Sequence, residues 1–150
     1  MAGKKVLVVD YDTESLEALS DLVSGKNMEV IKAADGQKAY EKYKEEKPDL
    51  IILEAMLPKL HGFDLTQKIS KETKGGVPII IVTGLYKGAQ YRNEAIRSFG
   101  AAAYFEKPYD KEKLLDAVNR LLHDEVNIED DLLEPEAVIE IVKQMEKKGK

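Results

Sequence analysis

The stretch Val6-Leu7-Val8-Val9-Asp10-Tyr11-Asp12 decides how the chain is read. Four apolar residues in a row, three of them β-branched, mark a strand buried on both faces, because a half-buried strand would alternate. The acids that follow lie where such a strand leaves its sheet. Asp12 or Thr13 can cap a helix whose Leu16, Leu19, Leu22 and Val23 share one stripe. Gly25 is expected to stop that helix.

The same strand-helix unit recurs along the chain. Met28 to Ile31 reads as a second, half-buried strand, and Ala39, Tyr40 and Tyr43 mark a helix that ends before Pro48. Leu50-Ile51-Ile52-Leu53 is a third strand. Phe63, Leu65 and Ile69 predict a helix that closes at Gly75-Gly76. Pro78 to Val82 is a fourth strand, with its proline at the permitted first position. Tyr91, Ala95, Ile96 and Phe99 define a helix closed by Gly100, Ala102 to Phe105 a fifth strand, and Leu114, Leu115, Val118, Leu121 and Leu122 a last helix. Strands that alternate with helices need crossover connections, hence a parallel sheet covered on both faces. Right-handed crossovers make a doubly wound α/β sandwich the economical solution.

This pattern occupies residues 1–123 and then breaks. Residues 124–134 hold six acids (Asp124, Glu125, Glu129, Asp130, Asp131 and Glu134) and are read as an acidic linker. Residues 135–150 are read as an appended amphipathic helix, with Pro135 as its first residue and Val138, Ile141, Val142 and Met145 as its stripe. The about 27 residues after position 123 are too few for a DNA-binding output domain. A stand-alone regulator or a fragment of something longer is expected.

Composition narrows the function classes. In 150 residues, 23 Lys+Arg stand against 28 Asp+Glu, a net charge of −5 that offers nothing general to a phosphate backbone. No nucleic-acid partner is expected. Cysteine is absent, which removes disulfides, thiolate metal sites and a cysteine nucleophile. The opening MAGKKVLVVD has too short an apolar run for a signal peptide, and no window reaches the roughly 18 apolar residues of a membrane span. A cytoplasmic location without a membrane partner is expected.

In an open parallel sheet, ligands gather beyond the carboxyl ends of the strands. There the chain places Asp10-Tyr11-Asp12, Glu54, Thr83-Gly84 and Glu106-Lys107-Pro108. Such a set suits a hard cation with oxygen ligands and an anionic group paired with Lys107.

These residues, in this order, closely resemble the receiver domain of bacterial two-component response regulators, the CheY-like family. The resemblance spans roughly residues 4–123 and rests on VLVVD, the acid after LIIL, a proline four positions later, HGFDL, IIIVTG and AYFEKPY. It implies a flavodoxin-like sheet of strand order 2-1-3-4-5. It also implies a strand-three aspartate that takes a phosphoryl group from a kinase histidine, helped by Mg²⁺ on the strand-one acids. Carried over, the phosphoacceptor position is Glu54, the acid pair is Asp10 with Tyr11, and Met56 offers its carbonyl to the metal. Thr83 and Lys107 are the phosphoryl contacts, and Tyr104 is the aromatic switch.

Two positions depart from that pattern. Glu54 is one methylene longer than aspartate, and a misplacement of about 1 Å costs on the order of a hundredfold in group transfer. Tyr11 replaces a carboxylate with a neutral ring, which weakens a site for an ion that demands near-octahedral oxygens. Asp12 lies one residue further on, in the helix-capping loop. Both changes point to lost phosphotransfer and to no resident cofactor, with Mg²⁺ weak if it binds at Asp10, Glu54 and Met56. The longer Glu54 also reaches toward Lys107, where it would hold the ammonium without phosphate. In receivers a glutamate here sometimes imitates the phosphorylated state.

Simpler roles stand beside these. Asp10 also reads as an acceptor for loop amides, Thr83 as a strand-end hydroxyl, and Tyr104 as a half-buried strand aromatic. Lys107 paired with Glu54 or Asp10 reads as structural. His61 and His123 read as surface residues. The leading expectation is a non-enzymatic pseudo-receiver that binds signalling proteins, a sensor kinase or a downstream effector, with a homodimer also open. Its working surface would be the fourth helix, fifth strand and fifth helix. A functioning Mg²⁺-dependent phosphoacceptor is the alternative. A flavodoxin-like cofactor enzyme is a third, without the Gly-rich turn it would need after strand one.

Overall fold

Alternation within the first strand sorts the core into two halves. β1 (Lys4–Val9) sends Val6 and Val8 into one apolar cluster and Leu7 and Val9 into the other. A side-chain period of two requires this. The computed structural model describes residues 3–25 and 27–123. The acidic segment 124–134 and the amphipathic stretch 135–150 lie outside the described residues.

After β1 the chain runs through α1 (Thr13–Val23), β2 (Met28–Ala33), α2 (Gly36–Glu46), β3 (Leu50–Leu53) and α3 (Gly62–Thr73). It continues through β4 (Ile79–Thr83), α4 (Ala89–Arg97), β5 (Ala103–Glu106) and α5 (Lys111–Leu122). The five strands form one parallel sheet in the order β2-β1-β3-β4-β5. Leu19 and Val23 of α1 and Leu114 and Val118 of α5 pack with Val6, Val8, Ile52 and Ile80 on one face. Ala39 of α2, Leu65 and Ile69 of α3 and Ala95 of α4 cover Leu7, Ile51, Leu53 and Ile81 on the other. The three central strands are buried along nearly their whole length. Fully burying one such aliphatic side chain contributes about 1.5–3 kcal/mol.

Local boundaries differ from the sequence reading where side chains or register intervene. α1 stops at Val23, two residues before Gly25, because the Ser24 amide and hydroxyl both donate to the Ser20 carbonyl, at 3.0 and 2.7 Å. β1 begins at Lys4 and β2 continues to Ala33, since the ladder pairs Lys4 with Met28 and Val9 with Ala33. β4 and β5 each sit one residue later than expected. Pro78 still contributes its carbonyl, which accepts the Ile51 amide.

α2 and α3 end in the same way, on lysines in left-handed conformation: Lys47 (φ 49°) and Lys74 (φ 54°). Gly62 opens α3 where no side chain fits, because a Cβ there would lie 2.5 Å from the Glu54 carbonyl oxygen. That close approach seats α3 against the loop that follows β3.

Candidate functional site

Register brings the sequence-distant acids together. Val9 pairs with Leu53 and Leu53 with Ile81, so Asp10 and Glu54 leave the sheet side by side. The ladder runs one step further through backbone bonds. The Asp10 amide donates to Ala33, the Glu54 amide to Val9 and the Lys107 amide to Thr83. Asp10, Glu54 and Thr83 are buried, and the Lys107 side chain is one-fifth exposed.

Lys107 Nζ is the hub. It donates to Asp10 Oδ2 at 2.7 Å, to Ser15 Oγ at 3.0 Å and to Glu54 Oε1 at 3.2 Å. Backbone amides bind the same two carboxylates. Asp10 Oδ1 accepts the Asp12 amide at 3.0 Å, Glu54 Oε2 the Met56 amide at 3.1 Å, and Glu54 Oε1 also the Gly84 amide at 3.2 Å. Among the described residues, Ser20 Oγ is the one buried side-chain polar atom without a partner, so nothing in this pocket is left wanting.

Burial pushes the Asp10 carboxyl above its ordinary value, against the pull of Lys107 and the Asp12 amide. For Lys107, burial is the largest single influence and acts downward. The bonds and charges of Asp10 and Glu54 together outweigh it and hold the ammonium above its usual value.

Asp10 serves both Lys107 and a loop amide. Thr83 Oγ1 accepts the Leu85 and Tyr86 amides, so it organises the β4–α4 loop. Tyr104 is 6% exposed, more buried than expected, and its hydroxyl donates to the Tyr86 carbonyl in the same loop. Burial and the nearby acids push its phenol up to about 12. Tyr11 is half exposed and takes no part in the hydrogen-bond network of the pocket. Asp12 is committed to capping α1, accepting the Ser15 amide.

Two residues were misjudged or missed. His61 is more than a surface residue. Its Nδ1 caps α3 by accepting the Phe63 amide, and its Nε2 lies 3.1 Å from the Tyr86 hydroxyl within a cluster that includes Phe63 and Tyr91. The HGF run next to a helix start could have signalled this cap. Ser15 was not singled out at all. Its hydroxyl meets a lysine 92 positions away, and no local pattern carries that information.

The family resemblance implies magnesium, and the residues present do not fit it. An octahedral oxygen site would have to use Asp10 and Glu54, whose oxygens are all engaged by Lys107 or backbone amides. Tyr11 adds no carboxylate. Among the described residues, no group of three or more His, Asp or Glu side chains converges as metal ligands would.

Comparison with known proteins identifies the family and the fold. Residues 6–119 match the family model described as the response regulator receiver domain. The chemotaxis protein CheY of Thermotoga maritima is 32% identical over 120 residues, 79% of this chain and 98% of that protein. A probable transcriptional regulator, ycf27 of Porphyridium aerugineum, is 35% identical over 114 residues, 76% of this chain and 46% of that one. The chain thus spans about half the length of several of the curated relatives it matches. Among solved structures, the signal receiver domain of an HD domain-containing protein from Pseudomonas fluorescens Pf-5 superposes with a TM-score of 0.75 at 26% identity. The match covers 83% of this chain and 98% of that one.

Proposed function

The chain belongs to the response regulator receiver family, and from that premise we propose that it is a pseudo-receiver, a signalling module that works through protein contacts without aspartyl phosphorylation. One observation carries the reading. Glu54, at the phosphoacceptor position, already holds Lys107, one of the two expected phosphoryl contacts, together with the Gly84 amide. The carboxylate therefore does from within what an added anion would do from outside. It supplies less charge and fewer oxygens than a phosphoryl group, so the imitation is partial.

In this reading the module is cytoplasmic, has no catalytic role, and meets a sensor kinase or a downstream effector. Among the described residues no helix is long and apolar enough to cross a membrane. The partner face comprises α4, β5 and α5. The buried Tyr104 ring braces that face from within, while Leu85 and Tyr91 are exposed at its edge.

Intact mass after incubation with a small acyl phosphate donor and Mg²⁺, beside a Glu54→Asp variant, tests the proposal. No adduct is expected on the wild type. A labile, Mg²⁺-dependent gain of one phosphoryl group on the wild type would overturn the reading in favour of a working phosphoacceptor.

A further inference from the structure

We propose that the Lys107 ammonium is the resident cation of this pocket, and that with Ser15 as its third acceptor it keeps a divalent ion away from Asp10 and Glu54. An ammonium has three N–H donors and no more. Here they are spent on Asp10 Oδ2, Ser15 Oγ and Glu54 Oε1, all within 3.2 Å. Two carboxylates set side by side by strand register repel each other and need positive charge between them. A tethered ammonium provides it without the entropy cost of capturing a free ion. Magnesium would have to displace Lys107 from both acids, shed water and gain no third carboxylate, since Tyr11 offers none.

Ser15 is the distinguishing member. It lies in the first turn of α1, where Asp12 already caps its amide, so its hydroxyl is not needed for the cap. That hydroxyl instead fixes the ammonium from the α1 side. Ser15 is therefore a positioning residue. Remove the ammonium, and Asp10, Glu54 and Ser15 become an oxygen-rich pocket in want of a cation.

This inference rests on the pseudo-receiver reading but fails separately. That reading fails on a mass adduct, this one on cation binding. The test is a titration of the full chain with Mn²⁺ and with Mg²⁺ alone, followed by amide spectra and thermal melting, beside Lys107→Met and Ser15→Ala. The wild type is expected to keep its melting temperature in millimolar Mg²⁺ and to show no selective Mn²⁺ broadening at Asp10, Glu54 and Met56. Lys107→Met is expected to bind Mn²⁺ and Mg²⁺ saturably, with selective broadening at Asp10, Glu54 and Met56 and a rise in melting temperature that the wild type lacks. Ser15→Ala should show broadening at lower Mn²⁺ than the wild type. Should Lys107→Met not fold in metal-free buffer, cation-dependent refolding would support the proposal. Selective broadening of the wild type at micromolar Mn²⁺ would overturn it. So would a Lys107→Met protein indifferent to cations, or a Ser15→Ala protein that matches the wild type.

Discussion

The pocket at the carboxyl edge of the sheet and a cluster across α2 and α3 are built from the same parts, and only the first is withdrawn from water. In the second, the Tyr40 and Tyr43 hydroxyls donate to Glu72 at 2.5 and 3.3 Å, while Lys44 and Lys68 stand over the Tyr40 ring at 5.0 and 4.8 Å. The bond from Tyr40 is the main reason the Glu72 carboxyl lies below its ordinary value. Glu72 nevertheless remains open to solvent, so its partners compete with water and salt. Asp10 and Glu54 have no such alternative: each bond lost in the pocket leaves a buried charge behind. Carboxylate, ammonium and hydroxyl decorate one surface and lock the other, and burial alone separates the two outcomes.

The largest expected effect comes from breaking the buried side. Lys107→Ala should cost about 3–5 kcal/mol by leaving two buried carboxylates uncompensated, read as a lower denaturant midpoint. An unchanged midpoint would show that water reaches the pocket and would erase the contrast.

Tyr104→Phe comes next, at about 1–3 kcal/mol, because the Tyr86 carbonyl loses its donor. It should also remove one phenol titrating near 12 from the ultraviolet titration of the seven tyrosines. Both Tyr104 and Lys107 have folded values above their unfolded ones. Their contributions are thus complete below about pH 10 and are lost as pH rises through the folded values. Alkaline unfolding is therefore expected to begin above pH 10 and to begin differently in Tyr104→Phe. Glu72 has the opposite sign: its contribution is present above the ordinary carboxylate range and lost as pH falls.

The smallest effect is expected from Glu72→Gln, a midpoint within measurement error of the wild type's. A loss comparable to that of Lys107→Ala would mean that the surface cluster is as consequential as the pocket.

Much of this was legible in the sequence. Short, β-branched apolar runs such as LIIL, bounded by turn residues, read as strands buried on both faces, and parallel topology then puts whatever follows them at one edge. That reasoning puts Asp10, Glu54, Thr83 and Lys107 at one edge of the sheet. It could not find Ser15, because the seating of α1 against the β5–α5 loop depends on how Leu19, Val118 and their neighbours pack. Nor could it see that Ser24 would end α1 ahead of Gly25, since a serine hydroxyl serves a cap or the solvent equally well. His61 failed for a related reason. Its value comes from Tyr86, 25 residues on, which a spacing rule for metal ligands never consults.

The strand order also has a consequence for the order of synthesis. Pairing of β1 with β3 brings Asp10 beside Glu54 once residue 54 has been made, but Lys107 follows 53 residues later. Until β5 docks, the nascent sheet carries two adjacent acids with no ammonium between them, which disfavours early closure of this edge. Closure of the pocket thus marks a chain that has been made through its fifth strand, with α5 still to cover its face of the core.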